Sequence, residues 1–142
     1  MKKLKVFVDS NIWFSAFYKT GSCSQLLKLL TDQKHKIIIN EQVLEEIIRN
    51  IKIKIPSALP LIIEYINQAK PIVVKNPRKP FLEKYKNLSH HKDLPIVIAA
   101  INYKCHYFIT GNLADFNINQ TKKLTVLKIL SPSRFISSYP NL

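Results

Sequence analysis

The sequence predicts an α/β protein, a three-layer α/β/α sandwich around a central, mainly parallel five-stranded sheet. Short runs of β-branched and aromatic residues recur five times along the chain. Segments with apolar residues at helical spacing lie between them. Strands that alternate with helices need crossover connections, which are right-handed and leave a parallel sheet covered on both faces. A length of 142 residues can bury one real core, and no repeat or linker divides it. Residues 1–142 are therefore expected to form a single domain.

"LKVFVD" (residues 4–9) is the first strand, a buried run ending on an acid. "SNIWFSAFY" follows at once, with Ser10 and Asn11 as N-cap candidates for a helix. Gly21 and Ser22 break that helix, and "CSQLLKLLTD" begins a second. "KIIIN" (36–40) is a strand whose Asn40 can cap "EQVLEEIIRNI", a helix with Val43, Leu44, Ile47, Ile48 and Ile51 on one apolar face. "IKIKIPSALP" alternates like a strand but sits where a turn is expected, and "LIIEYINQA" is helical. "PIVVK" (71–75) is a third strand beginning with proline, and residues 76–92 form a basic, proline-containing surface loop around a short helix. A helix is expected from Asp93 to Lys104, then a strand "YFIT" (107–110), a fifth strand "LTVLKI" (124–129) and a final helical turn or two in "SPSRFISSY".

Composition narrows the function. With 46% hydrophobic residues the chain is not of the disordered class. No apolar run approaches the roughly 18 residues of a spanning helix, so a protein off the membrane is expected. The Lys-rich start resembles a secretory leader, but Asp9 and Asn11 interrupt its apolar stretch and no small-residue cleavage site follows, so it is read as mature protein. Cys23 and Cys105 lack metal-type spacing and are expected as reduced packing residues of a cytoplasmic protein. Twenty-two Lys and Arg against nine Asp and Glu leave a net charge of +13, which favours a polyanionic partner, nucleic acid or acidic protein.

Against that excess the few acids stand out. In parallel sheets ligands bind at the carboxyl ends of the strands, and Asp9 closes the first strand. On position alone it is equally a helix cap. Glu45 and Glu46 fall at the two borders of an apolar helix face, and periodicity does not choose between them. Asp93 precedes "LPIVIAA" and can cap that helix while still offering an oxygen to a cation. Asp115 follows the strand and glycine turn "YFITGN", where Thr110, Gly111 and Asn112 can hold a carboxylate or a phosphate. Asp9, one helix Glu, Asp93 and Asp115 would converge on one sheet edge. Clustered carboxylates repel unless a cation neutralises them, and an all-oxygen donor set selects Mg²⁺ or Mn²⁺ over zinc. His90 and His91 lack the further ligands zinc requires. His35, His106 and Trp13 are expected to be structural.

These stretches resemble the PIN-domain family of metal-dependent nucleases over nearly the whole chain. "VFVDSNIWFSAF" is similar to the family's opening strand, with its acid followed by a small polar pair, here Ser10 and Asn11. "NEQVLEEI" is similar to the second motif, whose acid stands six residues after a position usually Ser; that points to Glu46 and leaves Asn40 in the place of the Ser. "HKDLPIVIAAINYKCHYFITGN" is similar to the third and fourth motifs, with Asp93 as third acid. Many members have Asp directly after the Thr-Gly pair, where this chain has Asn112; others have Asn there and an acid three residues on, which "TGNLADF" matches with Asp115.

The resemblance implies a PIN-like, Rossmann-like fold and a Mg²⁺- or Mn²⁺-dependent endoribonuclease leaving 5′-phosphate and 3′-hydroxyl ends. It implies Asp9, Glu46, Asp93 and Asp115 as catalytic and metal-holding residues, for one ion or two, supported by Ser10, Asn11, Thr110 and Asn112. It further implies the toxin of a prokaryotic toxin–antitoxin pair, cytoplasmic, with an RNA substrate, a cognate antitoxin and a homodimer. The alternative, permitted by Asn112, is a non-catalytic RNA- or protein-binding domain with a decayed metal site. Phosphatases of the haloacid dehalogenase type need a second Asp where Asn11 stands, and receiver domains need an acidic pair that the chain lacks.

Overall fold

The computed structural model describes residues 2–142. β1 (Lys5–Val8), β2 (Lys36–Asn40), β3 (Ile72–Val74), β4 (Tyr107–Ile109) and β5 (Lys128–Leu130) form one sheet in the order β3-β2-β1-β4-β5, parallel throughout. The chain leaves β1 toward β2 and β3, then returns to the other side of β1 for β4 and β5. The direction of winding thus reverses between β1 and β4, the place where such sheets open a binding crevice. β1 and β4 are fully buried apart from Lys5, and their Phe7 and Phe108 rings stack at 5.3 Å.

Between β1 and β2 run α1 (Ser10–Tyr18) and α2 (Ser22–Asp32), and between β2 and β3 run α3 (Glu41–Lys54) and α4 (Leu59–Ala69). α1 packs on α2, α3 and α4, and α8 (Pro132–Ser138) packs on α2, so these helices share one face. The right-handed rule puts the returning helices on the other face: α5 (Lys79–Lys84), α6 (Leu94–Asn102) and α7 (Ile118–Leu124). α6 buries six of its nine residues, Leu94 and Ile96 to Ala100. The result is the expected three-layer α/β/α sandwich.

Several local expectations are corrected. Neither Ser10 nor Asn11 caps α1; Asp9 does, its carboxylate accepting the Ser10 N–H. Asn40 caps α3 as expected, accepting from Val43 N–H at 3.0 Å. Residues 51–54 of the alternating "IKIKI" belong to α3, where Ile51 is buried and Ile53 is exposed; Ile55 ends the helix and Pro56 starts a short 3₁₀ turn. Residues 124–129 are not one strand. Leu124 ends α7, a helix whose polar sequence hid it and whose cap is Asn117, and β5 starts only at Lys128. Trp13 is core, its indole N–H donating to Val8 O at 3.1 Å. The imidazoles of His35 and His106 accept from the Leu4 and Lys5 N–H groups. Cys23 and Cys105 are free thiols.

Three helix-to-strand turns pass through left-handed backbone at a residue bearing a Cβ: Lys34 (φ 58°), Lys70 (φ 52°) and Lys104 (φ 60°). Each such residue costs roughly 1 kcal/mol relative to glycine, the usual occupant of such turns.

Candidate metal centre at the strand ends

Asp9 follows the last residue of β1, and Thr110 the last residue of the neighbouring β4. Pairing of Val8 with Ile109 sets the two side chains side by side. The Thr110 hydroxyl donates to Asp9 Oδ2 at 2.8 Å, and the Asn11 amide donates to the same oxygen at 3.2 Å. Asp9 Oδ1 accepts from Ser10 N–H at 2.7 Å. Asp9 is therefore both cap and site acid, and the alternatives read from position coexist in one side chain. It is only 6% exposed. Burial, and then the nearby charges of Glu46 and Asp93, push its pKa up to about 6 against the pull of the Thr110 and Ser10 bonds.

Glu46 enters from the second turn of α3. The Ser10 hydroxyl donates to its Oε1 at 3.1 Å, and Glu45 points to solvent. Asp93 ends a 3₁₀ turn (His91–Asp93) that leads into α6. It makes no capping bond, so the expected cap role is corrected, and its Oδ2 is buried without any hydrogen-bond partner. Such an orphan costs free energy unless something satisfies it. Burial, and then the Asp115 charge, raise the Asp93 pKa against Lys92 and His90. Asp115 closes a 3₁₀ turn after β4, held by its N–H to Asn112 O at 3.0 Å and by its carbonyl accepting from His90 N–H at 3.1 Å.

Asp9, Glu46, Asp93 and Asp115 line one cleft of about 330 Å³. Four of only nine acids thus meet in a chain of net charge +13. Two other surface clefts, of about 350 and 360 Å³, have no Asp or Glu in their walls, so chemistry rather than size marks this one. Ser10, Asn11 and Asn112 line the same cleft. Asn112 acts through its backbone, donating its N–H to Thr110 Oγ1 at 3.1 Å. Arg49, Asn50 and Lys92 also line it and were missed from the sequence. Arg49 stands three residues after Glu46, a helical spacing that points both the same way.

The donor set fits a hard divalent cation: it is all oxygen, mutually repulsive, and includes one buried oxygen with nothing to bind. Among the described residues no group of three His, Cys, Asp or Glu side chains is placed closely enough to hold an ion.

Gly111 adds a packing constraint. Its N–H donates to Asn11 Oδ1 at 2.9 Å, and a Cβ there would meet the same oxygen at 3.2 Å. Gly111→Ala is expected to push Asn11 off Asp9 and to cost about 1 kcal/mol, lowering the Tm by roughly 2–4 °C in a thermal melt. An unchanged Tm would show that Asn11 shifts freely.

No curated protein matches the sequence. Among solved structures, a chain of VapBC2 from Rickettsia felis, crystallised bound to a DNA fragment from its promoter, superposes with a TM-score of 0.64 at 19% identity, covering 90% of this chain and 98% of that one. At that identity the likeness is one of fold. The family model described as PIN domain matches residues 6–103, from β1 through α6 and hence across Asp9, Glu46 and Asp93. On this match the chain belongs to the PIN domain family.

Proposed function

We propose that this chain is a Mg²⁺- or Mn²⁺-dependent endoribonuclease, with Asp9, Glu46, Asp93 and Asp115 as its catalytic and ion-holding residues. The observation that carries the reading is the gathering of those four carboxylates in one cleft, with the buried Asp93 Oδ2 left without a partner. A bound ion would supply Lewis-acid polarisation of a phosphoryl oxygen and a water of lowered pKa. The chain's own groups do the rest. Thr110 and Asn11 fix the Asp9 carboxylate, and Ser10 fixes Glu46. Arg49 and Lys92, on the cleft wall, offer cations to the phosphates that flank the scissile bond. A cleft at the end of a sheet admits an exposed single-stranded backbone more readily than a duplex.

A role as the toxin of a cytoplasmic toxin–antitoxin pair is supported by the family and by the likeness to a VapBC2 chain. An antitoxin or a second copy of the chain would find exposed apolar side chains at Tyr18, Ile53 and Leu61, on three helices that pack together. Among the described residues no helix is long and apolar enough to cross a membrane.

The test is cleavage of a single-stranded RNA with Mg²⁺ or Mn²⁺ against the same reaction in EDTA. Ion-dependent cleavage supports the reading; RNA binding without cleavage under either ion would leave the non-catalytic alternative. Asp115, unlike Asp93, has no buried side-chain oxygen left without a partner. Asp115→Asn is therefore expected to lower the rate by about 10–100-fold, roughly 1.4–2.7 kcal/mol of barrier, less than the loss from Asp9→Asn. Equal losses would give Asp115 an equal share of the ion.

A further inference from the structure

The carboxyl ends of the strands carry acids, and the opposite edge, where the strands begin, carries lysines. Lys34, Lys36 and Lys70 line one cleft there, and Lys2, Lys104 and Lys128 line another. The segment before and within β1 joins the two. Lys3 Nζ donates to Gln33 O at 2.8 Å on one side, and Lys5 Nζ donates to Tyr103 O at 3.4 Å on the other. Lys5 and Lys36 are direct neighbours in the β1–β2 register. Five strands set about 4.8 Å apart make this edge about 19 Å wide, room for several consecutive phosphates.

Among the described residues no Asp or Glu side chain forms an ion pair with these lysines. The ion pairs among the described residues are Lys28–Asp32 and Lys86–Glu83, and neither uses a lysine of this edge. Of the acids on the helices that descend to it, Asp32 is engaged by Lys28 and Glu64 sits mid-helix in α4. The field is felt locally: after burial, Lys3 lowers the pKa of His35, and Lys2 and Lys5 that of His106. Two of the cations are held over aromatic rings, Lys5 over Tyr103 at 4.9 Å and Lys128 over Tyr107 at 5.9 Å. Lys34, Lys70 and Lys104 occupy the three left-handed turns, where glycine is the relaxed choice. Strained backbone thus occurs at three positions, each bearing a lysine that lines a cleft of this edge.

We propose that this lysine edge is a second nucleic-acid surface, across which the backbone of a single-stranded RNA lies on the side of the sheet away from the carboxylate cleft. It stands whether or not the cleft cuts RNA. A row of point charges matches a repeated phosphate and reads no bases. Among the described residues Leu124 and Val126 are the exposed aliphatic side chains beside the edge, far less than a bilayer-bound helix presents. Among the described residues no large exposed aromatic stands there to anchor a folded protein.

The test is fluorescence anisotropy of a labelled 20-nucleotide oligouridine with the full chain in EDTA, titrated at several salt concentrations. The triple variant Lys34→Gly/Lys70→Gly/Lys104→Gly removes three charges while relaxing three turns, so its Tm should equal or exceed the parent's. Its plot of log affinity against log salt is expected to be shallower by about 2, at about 0.7 for each phosphate no longer neutralised. Lys75→Gln/Lys79→Gln/Lys84→Gln removes equal charge around the end of β3 and should change the slope by less than half as much. Lys2→Gln/Lys36→Gln/Lys128→Gln, outside the strained turns, should repeat the first result and serves if the glycine variant fails to fold. An unchanged slope in the folded edge variants, or an equal change in the Lys75 set, overturns the proposal. So does tighter binding to polyglutamate or to phosphatidylserine vesicles than to the oligouridine.

Discussion

Asp9→Asn is expected to lower ion-dependent RNA cleavage by about a thousandfold or more, roughly 4 kcal/mol of barrier, while leaving the fold in place. The loss follows from position. Asp9 directly follows the central strand, is nearly buried, and shares its cleft with three other carboxylates. Removing its charge weakens the cation's hold and misplaces whatever the ion carries. The survival of the fold follows from the hydrogen bonds. An Asn oxygen can still accept from Ser10 N–H, and Asn caps helices about as well as Asp. The new amide would face Thr110, whose hydroxyl can turn to accept instead of donate. Asn11, a donor at 3.2 Å, is the one neighbour left facing a donor. Asp93→Asn is expected to give a loss of similar size. Circular dichroism and a melt close to the parent's, beside a lost cleavage rate, are the required pair of results. Full cleavage by either variant would remove that residue from the site.

Without divalent ion, the protein is expected to lose stability as the pH rises from about 4 to about 6. The folded pKa of Asp9 is about 6, above the ordinary unfolded value near 3.9. Below both values the group is protonated in either state and costs nothing. Between them the unfolded chain releases its proton first, so stability falls with pH and stays low above the folded pKa. Two units correspond to about 3 kcal/mol. Asp93, raised in the same direction, adds to the fall. Mg²⁺ or Mn²⁺ in the cleft would favour the ionised acids, so saturating ion should recover the loss at pH 7 and do little at pH 4. Asp9→Asn should flatten the metal-free profile. The checks are melts between pH 4 and 8 in EDTA and with ion; a flat profile for the parent would show that the carboxylates are not held against their charge.

The layout of the fold was legible because its signals are local. Four of the five strands are short apolar runs between turn residues, and each was placed within a residue or two of its observed span. The fifth was misread because α7 is short and polar, and its claim to be a helix rests on Asn117 and on the packing of Thr121, which a single sequence does not display. The capping error at α1 has a similar origin. Asp9, Ser10 and Asn11 all suit a cap, and only the pairing of β1 with β4 decides which one turns inward. Glu46 shows the limit from the other side. Both glutamates border the same apolar face, and the hydroxyl that holds Glu46 belongs to Ser10, 36 positions away. Periodicity leaves the two equal; the motif resemblance points to Glu46, the one that lines the cleft. Arg49 was visible in principle, one helical turn beyond Glu46, but a cation on a helix edge is ordinary until the cleft beside it is known.

The central position of β1 also bears on when the cleft can exist at all. Its ladder on one side needs β2, close in sequence, but on the other it needs β4, and the Thr110–Asp9 bond spans 101 positions. A ribosome adding about 5–20 residues per second takes roughly 5–20 seconds to make the missing stretch. During that time the first strand waits half-paired, and Asp9 lacks the hydroxyl that will orient it. A nascent chain therefore cannot assemble the cleft until β4 has been synthesised and has docked, late in translation.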